Sequence, residues 1–236
     1  MNKCKIAGLN ITAYENLNHA VSTIIVNGEV LPGFAVAVNA EKIVSSYENS
    51  EVHSILSSAT MRYPDGAGVS ILMGLRDYKS ARIPGCDLWI AIMKQAAIKK
   101  LPVFILGGKR ITNSDTVNKL VNEFDANVVG SCDGYVKDDD ALIELIIESK
   151  AKIITVALGS PMQENFINKC RLVYPGAFYM GVGGTYDVFT NQVTRAPSWT
   201  HKYHLEWLYR LCQNPKRIVR QFKLLKYVFL AITKKI

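Results

Sequence analysis

Four short apolar runs punctuate the chain: Phe34–Val38 (FAVAV), Pro102–Leu106 (PVFIL), Lys152–Leu158 (KIITVAL) and Ala177–Met180 (AFYM). Segments with helical spacing lie between them. Uninterrupted apolar strands separated by helices are what a mostly parallel sheet demands, because such a sheet is covered on both faces. The spacing predicts helices near Glu41–Ser57 and over Gly66–Leu75, Asp87–Lys99, Asn113–Phe124, Asp138–Ser149 and Pro161–Val173. A further short strand is expected at Val128–Val129. The expected fold class is α/β, a Rossmann-like sheet with helices on both faces. With 49% hydrophobic residues over 236, the chain can bury the core this needs. At Ala196-Pro197 the pattern changes to aromatic and basic helices. We therefore divide the chain into a core, residues 1–196, and a helical appendage, residues 197–236.

Charge follows the same division. Residues 1–194 carry 18 Lys/Arg against 19 Asp/Glu, whereas residues 195–236 carry 10 against the single acid Glu206. An excess so confined points to an anionic partner for the tail. Asn214-Pro215 suits a helix start. Beyond it Ile218, Phe222, Leu225, Phe229 and Ile232 form one apolar stripe, with Lys216, Arg217, Arg220, Lys223 and Lys226 to its sides or opposite. Trp207, Leu208 and Leu211 extend the apolar surface, and Tyr203 and Tyr209 suit a water–lipid boundary. This is the composition of a helix lying in a membrane interface. The competing readings are a tail packed on the core with a solvated basic face, and a nucleic-acid binder. A groove-reading helix would more often show polar residues where Phe222, Leu225 and Phe229 stand. Five scattered cysteines without a CxxC pair fit free thiols in a reducing compartment. Neither a secretory signal nor a membrane-spanning run is expected.

Ligands of open α/β sheets bind beyond the carboxyl ends of the strands. The loops there are Asn39-Ala-Glu-Lys, Pro64-Asp-Gly, Gly107-Gly-Lys-Arg, Gly159-Ser-Pro-Met-Gln-Glu and Gly183-Gly-Thr-Tyr-Asp. They supply Asn39, Gly107, Gly108, Gln163, Glu164, Gly183, Gly184, Tyr186 and Asp187 as candidate substrate-binding residues. Asp65, at a strand end before a glycine, is placed to accept a proton, although Pro-Asp-Gly is also a common turn. Arg82 can hold a phosphate or carboxylate, or be an ordinary surface arginine. Gly107-Gly108 and Gly181-Val-Gly-Gly allow close approach to phosphate, yet neither completes a dinucleotide fingerprint. Asp138-Asp139-Asp140 opens a helix, where negative charge is favourable without a metal. His201 and His204 lack a third ligand in sequence, and His19 and His53 lack an evident partner. No metal or cofactor is expected.

Read together, these loops carry a resemblance. It rests on Asn39-Ala-Glu-Lys, Asp65-Gly, Arg82-Ile-Pro-Gly-Cys-Asp-Leu-Trp, Gly159-Ser-Pro-Met-Gln-Glu, Gly181-Val-Gly-Gly-Thr-Tyr-Asp-Val-Phe-Thr and Arg195-Ala-Pro. The ending Leu205-Glu-Trp-Leu-Tyr-Arg-Leu with Pro215-Lys-Arg-Ile-Val-Arg-Gln completes it. The chain resembles the WecG/TagA/CpsF family of bacterial glycosyltransferases. Asn39-Ala-Glu-Lys, Cys132-Asp-Gly-Tyr and Gly181–Thr190 look most like the WecG branch, the UDP-N-acetyl-D-mannosaminuronic acid transferases. The TagA branch instead moves N-acetylmannosamine, and it has a threonine shortly before Asn39, where this chain has Ala37 and Val38. The resemblance implies an inverting, metal-independent transfer from a UDP-sugar to undecaprenyl-diphosphate-linked N-acetylglucosamine, in the synthesis of enterobacterial common antigen. It implies a peripheral enzyme on the cytoplasmic face of the inner membrane, with an anionic membrane surface and no nucleic acid as partner; whether it forms a homo-oligomer stays open. Asp65 matches the general base, Asn39 and Gln163 match polar active-site positions, and Arg82 matches a required arginine. Arg210, Arg217 and Arg220 correspond to appendage arginines that neutralise the diphosphate.

Overall fold

A computed structural model of the chain describes residues 2–194, residue 209 and residues 218–236. Its frame is a six-stranded sheet in which every pairing is parallel. The strands are β5 (Gly33–Val38), β6 (Met61–Pro64), β7 (Val103–Gly107), β8 (Val128–Cys132), β9 (Ile153–Ala157) and β10 (Phe178–Gly181). Their order across the sheet is β6-β5-β10-β9-β7-β8, so all six carboxyl ends line one edge. The chain reaches β5 through a hairpin, β1 (Lys3–Ile6) with β2 (Leu9–Thr12), then helix α1 (Leu17–Ser22) and a small ribbon, β3 (Ile25–Val26) with β4 (Glu29–Val30). The hairpin turns at Ala7-Gly8, both with positive φ, the conformation a tight two-residue turn needs. It lies beside edge strand β6, where Arg62 Nε donates to Asn10 O at 2.7 Å.

Helices cover both faces. Alternate strand residues Phe34, Val36, Phe104, Leu106, Ile154, Val156 and Tyr179 face one layer. That layer holds α2 (Ala40–Glu48), α3 (Ser50–Ser57), α4 (Ala67–Gly74), α7 (Asp139–Glu148) and α8 (Met162–Val173). Ala35, Val103, Ile105, Ile153, Phe178 and Met180 face the other, with α1, α5 (Gly85–Ile98), α6 (Arg110–Phe124) and α9 (Thr185–Phe189). Period-two alternation sends successive side chains to opposite layers, which is why these runs are apolar throughout.

The expected helix near Glu41–Ser57 is two helices. Asn49 takes an extended backbone, and its side chain accepts the N–H groups of Glu51 and Val52, capping α3. Asparagine competes for backbone donors and so favours a cap over a helix interior. Helix α6 begins at Arg110 instead of Asn113. The Asn113 amide is buried and donates to Gly107 O and Cys132 O, each at 2.9 Å, joining the ends of β7 and β8.

The last helix, α10 (Ile218–Ile232), packs on α2 and α4. Lys223 Nζ donates to Ser45 Oγ at 2.7 Å, and Lys226 pairs with Glu48. Tyr227 is buried, with its hydroxyl donating to Gly68 O at 3.1 Å, and Leu230 joins the same core layer. These contacts run in the same order along both helices. The start of α10 therefore lies toward the cleft end of α2. On the face turned away, Phe222, Leu225, Val228, Phe229 and Ile232 are all exposed. Among the described residues, no helix is long and apolar enough to cross a membrane. Asn214 and Pro215, and Tyr203, Trp207, Leu208 and Leu211 of the extended apolar surface, lie outside the described residues.

Candidate active site

Asp65 follows β6 directly. Its N–H donates to Val38 O at 3.0 Å, and Arg82 Nε donates to its carbonyl oxygen at 2.7 Å. Its carboxylate Oδ1 accepts the Gly85 N–H, at the start of α5, at 2.8 Å. Pro84 precedes that glycine, and an added Cβ at Gly85 would sit 3.1 Å from Tyr63 Oη and 3.9 Å from Asp65 Oδ1. The site thus needs a bare backbone donor there. Among the described residues no hydrogen bond engages Oδ2. A half-buried carboxylate held through one oxygen is suited to take a proton on the other from a positioned hydroxyl. Beneath it, Tyr63 is fully buried. Burial first, then the charges of Asp65 and Glu164 and the groups of Tyr14 and Cys86, push its phenol far up, so it stays neutral.

Asn39 lies in the adjacent loop: a Cβ on Gly66 would come within 3.2 Å of Asn39 Cβ. Its side chain caps α2 by accepting the Lys42 N–H at 3.0 Å. One turn on, Lys42 Nζ reaches across to Glu164 Oε1 at 2.8 Å, and Gln163 Nε2 donates to the same oxygen at 3.0 Å. Gln163 Oε1 accepts the Gly183 N–H at 3.0 Å. Burial alone pushes the Glu164 carboxyl up. The Lys42 ammonium, with hydrogen bonds from Lys42, Gln163 and Ser160, outweighs it and holds the carboxyl below its ordinary value. The structure thus brings Asp65, Arg82, Asn39, Gln163, Glu164 and Gly183 together.

The remaining candidates divide. Gly107 has φ +100, and an added Cβ would lie 2.5 Å from Ala157 O; it is glycine so that β7 can pass β9. Gly108 donates its N–H to Ala157 O and accepts from Gly134, so both its backbone groups are engaged within the fold. Tyr186 is 1% exposed, with its hydroxyl on Thr155; it supports the cleft from below. Asp187 accepts from Thr112 at 3.3 Å, and Gly184 is exposed beside it. Arg210 and Arg217 lie outside the described residues. Arg220 is placed by its backbone, in the turn of α10 before Lys223 and so toward the cleft end of α2. Asp138 caps α7 by accepting from Asp140 and Ala141, and Asp139 pairs with Lys169 at 2.6 Å, the structural role expected of this run. His201, His204 and Cys212 lie outside the described residues, and Cys4, Cys132 and Cys170 are free thiols.

Along the same edge, at the ends of β9, β7 and β8, lies a groove of about 590 Å³. Gly108, Gly134, Tyr135, Lys137, Met162 and Asn165 are among the residues lining it. Sequence reasoning did not assign Tyr135, Lys137 or Lys42 a place in the site. For Lys42 the signal was present, three residues after the Asn39 cap and so on the same helix end. From the end of β6, where Asp65 sits, to the end of β7 in this groove is four strand spacings, about 19 Å at ~4.8 Å each. The carboxyl edge of the sheet thus carries the Asp65 carboxylate at one end and, toward the other, a hollow whose lining includes Tyr135, Phe166, Lys137 and Asp139. A family model matches the chain over residues 4–236, nearly its whole length; its description is Glycosyl transferase WecG/TagA/CpsF family.

Proposed function

The chain belongs to this glycosyltransferase family, and from that premise we propose that it moves N-acetyl-D-mannosaminuronic acid from UDP to a polyprenyl-diphosphate-linked N-acetylglucosamine. The observation that carries the mechanism is the Asp65 carboxylate, held through Oδ1 by the Gly85 N–H and with no hydrogen bond to Oδ2 among the described residues. Oδ2 takes the proton of the acceptor's C4 hydroxyl as that oxygen attacks the anomeric carbon. The new C–O bond forms as the bond to the UDP oxygen breaks on the opposite face, which inverts the anomeric centre. The proton then passes from Asp65 to solvent.

In this reading each substrate has its own part of the sheet's carboxyl edge. The donor's nucleotide fits the hollow with Tyr135 and Lys137, its sugar lies near Gln163 and Gly183, and the acceptor enters at Asp65 and Asn39. Residues 197–236 act as an appendage to the core. Arg210, Arg217 and Arg220 supply the positive charge that the departing diphosphate needs, so turnover requires no divalent ion. The outward apolar face of α10, with lysines and no acid on its helix, supports peripheral seating on an anionic membrane at the cytoplasmic face. The transferase of the enterobacterial common antigen pathway is the assignment; UDP-N-acetylmannosamine is the competing donor.

Transfer of radiolabelled sugar from each donor to one lipid-linked acceptor, with and without EDTA, tests this. Asp65→Asn is expected to lower kcat about 10²- to 10⁴-fold without a change in thermal midpoint. Full turnover in that variant removes Asp65 as the base, and a preference for UDP-N-acetylmannosamine replaces the donor.

A further inference from the structure

The three strands in the middle of the sheet, β5, β10 and β9, each end in a loop at its carboxyl edge, and one buried run of hydrogen bonds ties these loops together. Lys42, at the start of α2 after β5, donates to Glu164 Oε1, after β9. Gln163 donates to that same oxygen and accepts from Gly183, after β10. Gln163 is 4% exposed and Glu164 1%. Glu164 therefore has no surface for a substrate to touch. What it does touch is informative. An ionised carboxylate only accepts and a backbone N–H only donates, so the oxygen and nitrogen of the Gln163 amide cannot exchange places. One amide N–H goes to Glu164. The plane of the amide then fixes the direction of the other.

We infer that Lys42 and Glu164 are positioning residues of the cleft: as a buried ion pair they set the orientation of the Gln163 amide, and through it the Gly183 turn, relative to Asn39. Lys42 keeps Glu164 ionised, Glu164 keeps the Gln163 nitrogen turned toward it, and the amide oxygen is thereby left for Gly183. A buried pair adds little net stability over well-packed apolar side chains of the same size. Its value here is that it specifies one amide orientation where two are otherwise available. The inference rests on the transferase reading only for its kinetic readout.

The experiment compares the full-length protein with Lys42→Met/Glu164→Leu, which replaces the pair by apolar side chains without stranding a charge, and with Glu164→Gln. The first readout needs no substrate: hydrogen exchange at the Gly183 amide, the NMR signals of the Gln163 side-chain amide, and the thermal midpoint. In the double variant the midpoint is expected to hold while Gly183 exchanges about tenfold faster. With the radiolabelled UDP-sugar, kcat is expected to fall by more than KM rises. Glu164→Gln can offer an oxygen or an N–H to Gln163. It is expected to give two sets of Gln163 amide signals and intermediate exchange. Unchanged exchange at Gly183 with a single unshifted Gln163 amide in either folded variant overturns the inference, as does a double variant with unperturbed kcat. If the unaltered protein transfers neither sugar, the functional reading falls, while the exchange data still decide the role of the pair.

Discussion

Phe222→Ser/Phe229→Ser removes two rings from the outward face of α10 and tests how the protein meets a membrane. Phe222 and Leu225 are each 68% exposed, Phe229 59% and Ile232 76%. Full burial of such a side chain contributes about 1.5–3 kcal/mol, so at roughly two-thirds exposure each holds about 1–2 kcal/mol for insertion into lipid. Two rings therefore account for about 3 kcal/mol of binding, a loss of ~100-fold in vesicle partitioning. Folding should be little affected, since these rings face away from α2 and α4. Phe229 gives up the Lys235 ammonium 6.0 Å from its ring centroid, worth about 0.5 kcal/mol at an exposed site. The assay is sedimentation with sucrose-loaded vesicles of phosphatidylethanolamine and phosphatidylglycerol, with the thermal midpoint recorded for both proteins. High salt should weaken the binding of both, because each lysine near an anionic leaflet adds about 1 kcal/mol. Partitioning within about threefold of the unaltered protein, at equal thermal midpoint, refutes the reasoning. So does a stable dimer of the unaltered chain that dissociates on the same substitutions, since the stripe would then meet a second copy.

Gly107→Ala places a methyl 2.5 Å from Ala157 O at φ +100; it should cost at least about 3 kcal/mol. In a chain of this size that lowers the midpoint by about 6–12 °C in calorimetry. Asn113→Ala strands the carbonyls of Gly107 and Cys132 and is expected to destabilise by about 1–3 kcal/mol in urea unfolding. The Glu164 carboxyl is held below its ordinary value of 4.5, so it binds its proton more weakly folded than unfolded. Its contribution to stability is thus fully present above that value and is lost as pH falls through the lower, folded one. Urea midpoints measured from neutral pH downward should drop less steeply in Glu164→Gln than in the unaltered protein, and parallel curves would contradict this.

The parallel sheet was legible because strands buried on both faces are apolar at every position, as FAVAV and PVFIL are. The loops at its edge were legible for the same reason, since each begins where such a run stops. The hairpin Lys3–Thr12 escaped notice: its four-residue strands alternate in burial and show no continuous run. Asn49 and Asn113 look alike in sequence, yet one ends a helix and the other fastens two strands, because each role depends on backbone brought from elsewhere. In the tail, the stripe through Phe222 and Phe229 was visible, but the docking face through Tyr227 and Leu230 was not. A helix apolar on both sides gives no single direction to read. From sequence Glu164 reads as a substrate contact. Its burial by Lys42, 122 residues away in sequence, is set by the fold alone.

Helix α2 joins two parts of the molecule that face different surroundings. Its first turn carries Asn39 and Lys42 at the carboxyl edge of the sheet, and its far half carries Ser45 and Glu48, on which α10 rests. From Asn39 to Glu48 is about 13 Å at 1.5 Å per residue. Because α10 and α2 run in the same direction, an α10 lying in the headgroups as proposed would leave that span parallel to the bilayer. The rigid helix would then fix how far along the membrane surface the cleft end, with Asn39 and Lys42, sits from the far half of α10. Selection of the acceptor would depend on where along that surface its sugar is presented, as well as on the sugar it carries.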